Sequence, residues 1–190
     1  VKTTALFTAG MMLPGMKMSA MANVLNDKTL KIAIVGCGGR GTGAAVQALK
    51  ADENVVIVAM ADAFEDRLNG SLQNLQKEFE GTKKVNVTEK HRYVGFDAYK
   101  KAIDQADVVI LTTPPGFRPY HFEYAINAGK HVFMEKPVAT DVPGIRKVLE
   151  MAKIAKDKKL NVVVGLQRRY QNNYLAMKEK IDEGQAGIIT

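Results

Sequence analysis

Residues 32–41 read Ile32-Ala33-Ile34-Val35-Gly36-Cys37-Gly38-Gly39-Arg40-Gly41, an apolar run followed by glycines in the spacing G-x-G-x-x-G. In such a stretch Gly36 permits a tight turn from a strand to a helix, and Gly38 leaves room for a pyrophosphate near the backbone. Gly41 lets the helix pack closely on the strand. The pattern alone is weak, because glycine-rich turns are common, so the neighbouring residues decide whether it marks a dinucleotide site.

The turn itself is the first candidate binding element, because the amide groups at the start of the following helix would face the phosphates of a dinucleotide. We predict cofactor contacts from all six of its residues: Gly36, Cys37, Gly38, Gly39, Arg40 and Gly41. Cys37 is the only cysteine, which excludes an internal disulfide and a multi-cysteine zinc site. We interpret Cys37 as a small side chain that fits the turn rather than as a reactive thiol. No other grouping has metal-ligand spacing, so no metal site is predicted.

Apolar runs and amphipathic stretches alternate along the rest of the chain. Predicted strands cover residues 30–35, 55–61, 85–87, 108–112, 131–134 and 161–165, the third within an otherwise irregular polar segment, 80–93. Predicted helices cover residues 43–50, 64–79, 97–105, 120–128, 142–156 and 173–183. Repeated strand–helix units need right-handed crossovers and give a parallel sheet with helices on both faces. The sequence therefore predicts an α/β fold, a Rossmann-like doubly wound parallel sheet.

The formal net charge of +7 raises the question of nucleic-acid binding. The lysines, however, are dispersed through predicted helices and loops, with acidic residues between them. No arginine-rich tract or aromatic RNA-binding motif occurs. A solvated surface explains the charge, and no nucleic-acid partner is predicted.

The first 28 residues have a different character and are kept apart from the fold. The run from Thr3 to Met16 is 14 residues long and uncharged, whereas a membrane-spanning helix needs about 20 residues. The run suits the core of a signal peptide, and Lys2-Thr3-Thr4-Ala5 resembles the end of a twin-arginine leader, although no Arg-Arg pair is present. We therefore expect residues 1–28 to be an export leader to the periplasm and no integral membrane anchor. The alternative is a disordered extension of a cytoplasmic protein.

Asp62 ends the second predicted strand, about 20 residues beyond the glycine turn, where the acidic residue of a Rossmann domain binds the adenosine ribose hydroxyls. A carboxylate there would repel a 2′-phosphate, which favours NAD over NADP. Arg67, inside the following helix, could pair with a 2′-phosphate, so NADP stays open as the less favoured cofactor. The alternative role for Asp62 is an N-cap of helix 64–79.

The loop Thr112-Thr113-Pro114 follows another predicted strand. Open parallel sheets bind ligands at the carboxyl ends of their strands, so we expect Thr112, Thr113 and Pro114 to lie along the dinucleotide. The alternative is a rigid turn with no binding role.

The run Ala128-Gly129-Lys130-His131-Val132-Phe133-Met134-Glu135-Lys136-Pro137-Val138-Ala139 carries a specific resemblance. It resembles the signature of the glucose–fructose oxidoreductase and inositol dehydrogenase family, called Gfo/Idh/MocA. His121, after the Thr-Pro loop, and the segment 165–170 match further family positions in the same order. The resemblance covers residues 31–187.

The resemblance implies roles for several residues. Lys136 would contact the substrate hydroxyl and the nicotinamide region and assist proton transfer, while Glu135 would orient or partner the lysine. Both are therefore candidate catalytic and cofactor-binding residues, and Pro137 would fix the turn, with a cis bond as one form of it. Arg168, or its neighbour Arg169, would hold oxygens of the cofactor or substrate. His121 is either a contact of the cofactor loop or a helix cap.

The resemblance also implies a function, the transfer of a hydride between NAD(P) and a sugar, polyol or related hydroxyl compound. Two alternatives stay open: a glycosidase that uses bound NAD for transient oxidation, and a non-catalytic NAD-binding sensor. Residues 29–168 would form the dinucleotide-binding domain. Residues 169–190 would form a linking helix and the start of a second α/β domain, mostly absent from this chain. In relatives that domain completes the substrate pocket and forms the interface of a homo-oligomer.

Overall fold

The residues that this computed structural model describes, 29–187, contain a six-stranded sheet. Its strands are β1 (Leu30–Val35), β2 (Val55–Asp62), β3 (Arg92–Val94), β4 (Val108–Leu111), β5 (His131–Met134) and β6 (Val162–Val164). All neighbours pair in parallel, and the order across the sheet is β3-β2-β1-β4-β5-β6. This order is that of a doubly wound dinucleotide-binding sheet, so the predicted fold class is confirmed. The predicted leader, residues 1–28, lies outside the described residues.

Helices cover both faces of this sheet. They are α1 (Gly39–Ala51), α2 (Glu65–Glu78), α3 (Ala98–Asp104), α4 (Arg118–Asn127), α5 (Val142–Asp157) and α6 (Asn172–Asp182). The first five each bury side chains, whereas α6 buries none. No helix within residues 29–187 combines the length and the apolar character that crossing a membrane requires.

Two separate cores form because successive side chains of a strand point to opposite faces. Ala33 and Val35 of β1 pack in one core with side chains from α3, α4 and α5. Ile32 and Ile34 pack in the other core with side chains from α1 and α2. The helices that follow β1 and β4 therefore leave the sheet on opposite faces, and this reversal opens a crevice at the carboxyl ends of the two strands.

The observed elements differ from the predicted ones by more than two residues in two places. The first helix begins at Gly39 rather than at residue 43, because glycine has low helix propensity and its presence hid the first turn. The predicted strand 85–87 is wrong: Val85 forms only an isolated bridge with Ile57. The third strand is instead β3, three residues at the sheet edge in a segment whose polar composition gave no strand signal. The helix predicted at 173–183 is present as α6, while the domain boundary at residue 168 stays a prediction.

Candidate functional site

A cleft of about 880 Å³ lies at the carboxyl ends of the strands. Its walls come from segments that follow β1, β2, β4 and β5, which the sequence analysis had singled out separately. The predicted site residues that line it are Gly36, Gly38, Gly39, Arg40, Asp62, Thr112, Thr113, Pro114, His121, Glu135 and Lys136. The fold thus brings most of the predicted site together in one place.

Three predicted site residues do not line this cleft. Cys37 is buried with its Sγ 3.5 Å from the carbonyl oxygen of Ala61, and burial raises the pKa of its thiol above the ordinary range. Gly41 is buried beneath the turn. Arg168 is exposed on a short 3-10 turn and donates a hydrogen bond to the Tyr174 hydroxyl. Cys37 and Gly41 therefore act on the site through the shape of the turn, and Arg168 lies outside it.

The glycine turn has the shape that a pyrophosphate requires. Gly36 adopts φ +96°, and a Cβ added to it would lie 2.6 Å from the backbone nitrogen of Thr113. A Cβ at Gly41 would lie 1.9 Å from the carbonyl oxygen of Gly36. A Cβ at Gly38 or Gly39 would instead meet no atom within 4 Å. The turn is therefore tight underneath and open above, at the start of α1, where the first amides of a helix have no partner within the helix and can bind an anion.

Asp62 holds the end of β2 against the glycine turn. One carboxylate oxygen accepts a hydrogen bond from the backbone N–H of Cys37 at 2.6 Å, and the other accepts one from Phe64 at 3.0 Å. The N-cap residue of α2 is Phe64, so the alternative that Asp62 caps this helix is wrong. An ionised carboxylate has about four acceptor positions, which leaves capacity for ribose hydroxyls on the side that faces the cleft.

The loop after β4 is tied to the glycine turn and to α4. The hydroxyl of Thr112 donates a hydrogen bond to the carbonyl oxygen of Gly36 at 2.6 Å. The hydroxyl of Thr113 lies 3.1 Å from Nδ1 of His121. These contacts give the loop a defined position along the cleft, while its role in binding the dinucleotide stays a prediction.

His121 is a neutral side chain in the wall of the cleft. The residue is only 6% exposed, and the ring of Tyr99 stacks at a tilt with its centroid 4.2 Å away. Burial lowers the pKa of His121 to about 4, and the charge of Arg118 acts in the same direction. The N-cap of α4 is Phe117, so His121 is not a helix cap. It contacts Thr113 in the loop after β4, and the binding of the cofactor by that loop stays a prediction.

Glu135, at the end of β5, forms an ion pair with Arg40 of the glycine turn. The sequence analysis expected Glu135 to orient or partner Lys136. The ion-pair partner is Arg40 instead, and a role of Glu135 in orienting the lysine stays a prediction. Adjacent residues at a strand end point in different directions, so the carboxylate meets the arginine instead. A Cβ at Gly165 would lie 2.5 Å from Oε1 of Glu135, which explains the glycine beside it.

Lys136 is exposed in the cleft and forms no ion pair or hydrogen bond with any side chain of residues 29–187. The peptide bond between Lys136 and Pro137 is cis, the form considered for this turn in the sequence analysis. A free ammonium group in a cleft can bind an oxygen of a ligand or exchange a proton with it. The lysine is therefore available for chemistry in a way that Glu135 is not.

The sequence analysis missed several residues of this site. Phe64, Phe96 and Phe117 line the cleft and are 63%, 72% and 45% exposed. Arg118 also lines it, yet is only 3% exposed as a residue. Phe96 and Phe117, which lie between predicted elements, were a usable signal in the sequence, because large apolar side chains in loops need an explanation. An arginine at the start of a helix gave no signal, because such residues are usually at the surface.

The sheet order, the glycine turn after β1 and the acidic residue at the end of β2 together define a dinucleotide-binding Rossmann domain. Because the cradle is open where a pyrophosphate must lie, the residues present fit such a cofactor. The chain belongs to the oxidoreductase family with an NAD-binding Rossmann fold, GFO_IDH_MocA, whose family model matches residues 30–166. The resemblance stated from the sequence is thereby confirmed, and the cofactor of the domain is NAD.

Several relatives of this chain are inositol dehydrogenases. An inositol 2-dehydrogenase of Klebsiella pneumoniae is 29% identical over 166 residues, which are 84% of this chain and 43% of that protein. The crystal structure of myo-inositol 2-dehydrogenase from Lactobacillus plantarum has a TM-score of 0.67 at 29% identity, covering 85% of this chain and 43% of that one.

Another related structure contains ligands. Scyllo-inositol dehydrogenase from Lactobacillus casei, with bound cofactor NAD(H) and scyllo-inositol, has a TM-score of 0.64 at 27% identity, covering 86% of this chain and 44% of that one. The chain spans less than half the length of these relatives.

Proposed function

We propose that this chain is the cofactor-binding part of an NAD-dependent dehydrogenase that acts on a polyol or sugar. The observation that carries the proposal is the free ammonium group of Lys136 in the same cleft as the glycine turn and Asp62. The names of the inositol dehydrogenases above support a substrate with several hydroxyl groups. When bound, NAD supplies the acceptor or donor of the hydride.

The residues of the cleft divide the remaining work. The amides at the start of α1 bind the pyrophosphate, and Asp62 binds the ribose hydroxyls. Lys136 binds the substrate oxygen. As the neutral amine it takes up the hydroxyl proton and becomes an ammonium group during oxidation of the alcohol, and as the ammonium group it returns a proton during reduction of the carbonyl. Glu135 acts through its ion pair with Arg40, which fixes the position of the carboxyl end of β5 beside the turn.

Three further features belong to this proposal. We propose that a second α/β domain, beginning within residues 169–190, completes the substrate pocket and forms a homo-oligomer interface. We also propose that residues 1–28 direct export to the periplasm. Cell fractionation of the protein expressed from its natural gene tests the export, and size-exclusion chromatography with light scattering tests the homo-oligomer. A protein confined to the cytoplasm, or a monomer, contradicts the corresponding proposal.

The activity is tested by mixing the protein from its natural gene with NAD⁺ and a panel that includes myo-inositol, scyllo-inositol and glucose. We expect NADH to accumulate, and we expect Lys136→Met to lower kcat by about 10²–10⁴-fold, the range for loss of a general acid–base group. NADH affinity should change little. Lys153→Met, which removes an exposed lysine on α5, is the control and should retain full activity.

Other outcomes identify the two alternatives. Release of the alcohol from aryl glycosides without net NADH formation would indicate a glycosidase with transient redox chemistry. NADH binding without turnover of any compound in either assay would indicate a non-catalytic sensor. Full activity in Lys136→Met would contradict the role given to the lysine.

A further inference from the structure

Arg118 occupies an unusual place for an arginine. It is the first residue of α4 and only 3% exposed. Burial lowers its pKa, and the carboxylate of Glu135 opposes that shift, yet an arginine stays charged in proteins. A positive charge at the start of a helix is also disfavoured by the helix dipole. Burial and the position at the helix start both destabilise the charged guanidinium of Arg118, so its hydrogen bonds must offset this cost.

All the acceptors of Arg118 are backbone carbonyl oxygens in two loops. Nη1 donates to the carbonyl of Glu135 at 2.6 Å and to that of Pro137. Nη2 donates to the carbonyl of Thr113. Within residues 29–187 the guanidinium forms no ion pair, and its buried Nε has no partner. Arg118 therefore holds the backbone of the two loops and does not pair with a carboxylate. We call its hydrogen bonds to the carbonyls of Thr113, Glu135 and Pro137 the clamp.

The positions of these carbonyls relate the clamp to the site. Glu135 and Pro137 are the two neighbours of Lys136, so a single nitrogen holds the backbone on both sides of the lysine. Thr113 belongs to the loop after β4, which lines the other part of the cleft. The planar guanidinium has its donors in a fixed arrangement, so holding both loops at once fixes the distance between them.

We propose that Arg118 is a positioning residue that joins the segment around Lys136 to the loop around Thr113 and so holds the lysine in register with the bound cofactor. The part of the proposal that concerns the cofactor rests on the function proposed above. The clamp itself does not, because it consists of contacts within the chain. Loops fixed before binding lose less conformational freedom when the ligand binds, so the clamp also favours NADH binding.

Backbone hydrogen exchange of the free protein, measured by mass spectrometry, tests the clamp. In Arg118→Met we expect exchange in segments 134–138 and 112–116 to become about tenfold faster, as for loss of hydrogen bonds to a charged group. Exchange in β1 should not change. Arg118→Lys should give a smaller increase, because an ammonium group restores some of the bonds. Arg146→Met removes an exposed arginine from α5 and is the control.

Each other outcome overturns the proposal. Equal acceleration in β1 would show that Arg118 only stabilises the fold, and no acceleration would show that it holds neither segment. A change in one segment alone would show that it joins nothing. If Arg118→Met does not fold, Arg118→Lys decides by the same pattern, with an expected increase of about threefold in the two segments.

A titration with NADH separates the clamp from the proposed function. NADH should slow exchange in both segments of the wild-type protein and bind more weakly to Arg118→Met. If wild-type protein does not bind NADH, the proposed function fails while the exchange pattern still decides on the clamp. If NADH binds both proteins equally and protects both segments equally, the link between clamp and cofactor is wrong.

Discussion

Arg40 and Glu135 form an ion pair across the cleft, between the first turn of α1 and the end of β5. The side chain of Glu135 is 9% exposed, whereas that of Arg40 is 45% exposed. The positive charge of Arg40 therefore offsets the cost of burying the Glu135 carboxylate, while one side of the arginine stays open to the cleft. A pyrophosphate at the glycine turn would compete with Glu135 for this guanidinium.

This competition predicts opposite effects of two substitutions on NADH affinity. Arg40→Met removes a positive charge beside the pyrophosphate and should raise the Kd about tenfold, the effect of one hydrogen bond to a charged group. Glu135→Gln releases the guanidinium from its carboxylate and should lower the Kd about threefold, in the range of a partly exposed ion pair. Fluorescence titration with NADH measures both values.

The exposed pair of Lys50 and Glu78 lies outside the cleft and provides the control. Glu78→Gln should leave the Kd for NADH unchanged. Equal weakening of NADH binding by Arg40→Met and Glu135→Gln would show that the ion pair only stabilises the local structure. The competition for Arg40 would then be wrong.

Asp62 should decide between the two nicotinamide dinucleotides. Asp62→Ala removes the acceptor for the ribose hydroxyls and should raise the Kd for NADH at least about tenfold. Affinity for NADPH should fall less, because the repulsion of the 2′-phosphate disappears and Arg67 lines the same cleft. Parallel titrations with NADH and NADPH give the ratio of the two constants.

A control for Asp62 must account for its structural hydrogen bonds. Asp62→Asn keeps an oxygen acceptor for the amide of Cys37 or Phe64 while removing the charge. Like Asp62→Ala, it should shift the ratio toward NADPH, with a smaller loss of stability. An unchanged ratio in both variants would contradict the role of the carboxylate in cofactor choice.

Gly41 should tolerate no side chain. Because a Cβ there would lie 1.9 Å from the carbonyl oxygen of Gly36, Gly41→Ala forces α1 away from β1. We expect a loss of about 3 kcal/mol in the free energy of unfolding, typical of overpacking. Urea denaturation measures it. Gly70→Ala, in α2 with no atom within 4 Å of the added Cβ, should instead stabilise the protein by up to about 1 kcal/mol.

The fold was predictable because its signals are local and strong. The apolar run 30–35 and the β-branched strand near residue 108 keep their predicted places as β1 and β4. The three-residue β3 was not predictable, because a short edge strand needs few apolar side chains and owes its form to pairing with β2. Tertiary contacts, which composition does not show, decide such elements.

The site was predictable in its backbone and less so in its side chains. Glycine spacing predicted the turn, the end of a strand predicted Asp62, and the family resemblance implied Lys136. The structure places all three in one cleft. The partner of Glu135 is Arg40, 95 residues away in sequence, and no local pattern indicates a contact of that range. Arg118 illustrates the same limit, since its three acceptors are main-chain atoms that every sequence contains.

His121 should make the stability of the folded chain sensitive to acid. Its pKa lies at about 4 in the folded chain, below the ordinary value of 6.5, so the unfolded chain takes up the proton first as the pH falls. The stability contributed by the neutral ring is therefore complete above pH 6.5 and is lost as the pH falls toward 4. The difference corresponds to about 3 kcal/mol.

Urea denaturation of wild-type protein and His121→Gln at about pH 7 and about pH 4 measures this contribution. Glutamine can still pair with the hydroxyl of Thr113 but does not titrate, so the variant should lose about 3 kcal/mol less than wild type between the two pH values. His91→Gln, which replaces a histidine outside the cleft, should behave as wild type does. Equal losses of unfolding free energy in wild type and His121→Gln would contradict the lowered pKa of His121. Acid would then destabilise the protein through other groups, and His121 would accept a proton beside Tyr99 and Arg118 at no cost in stability.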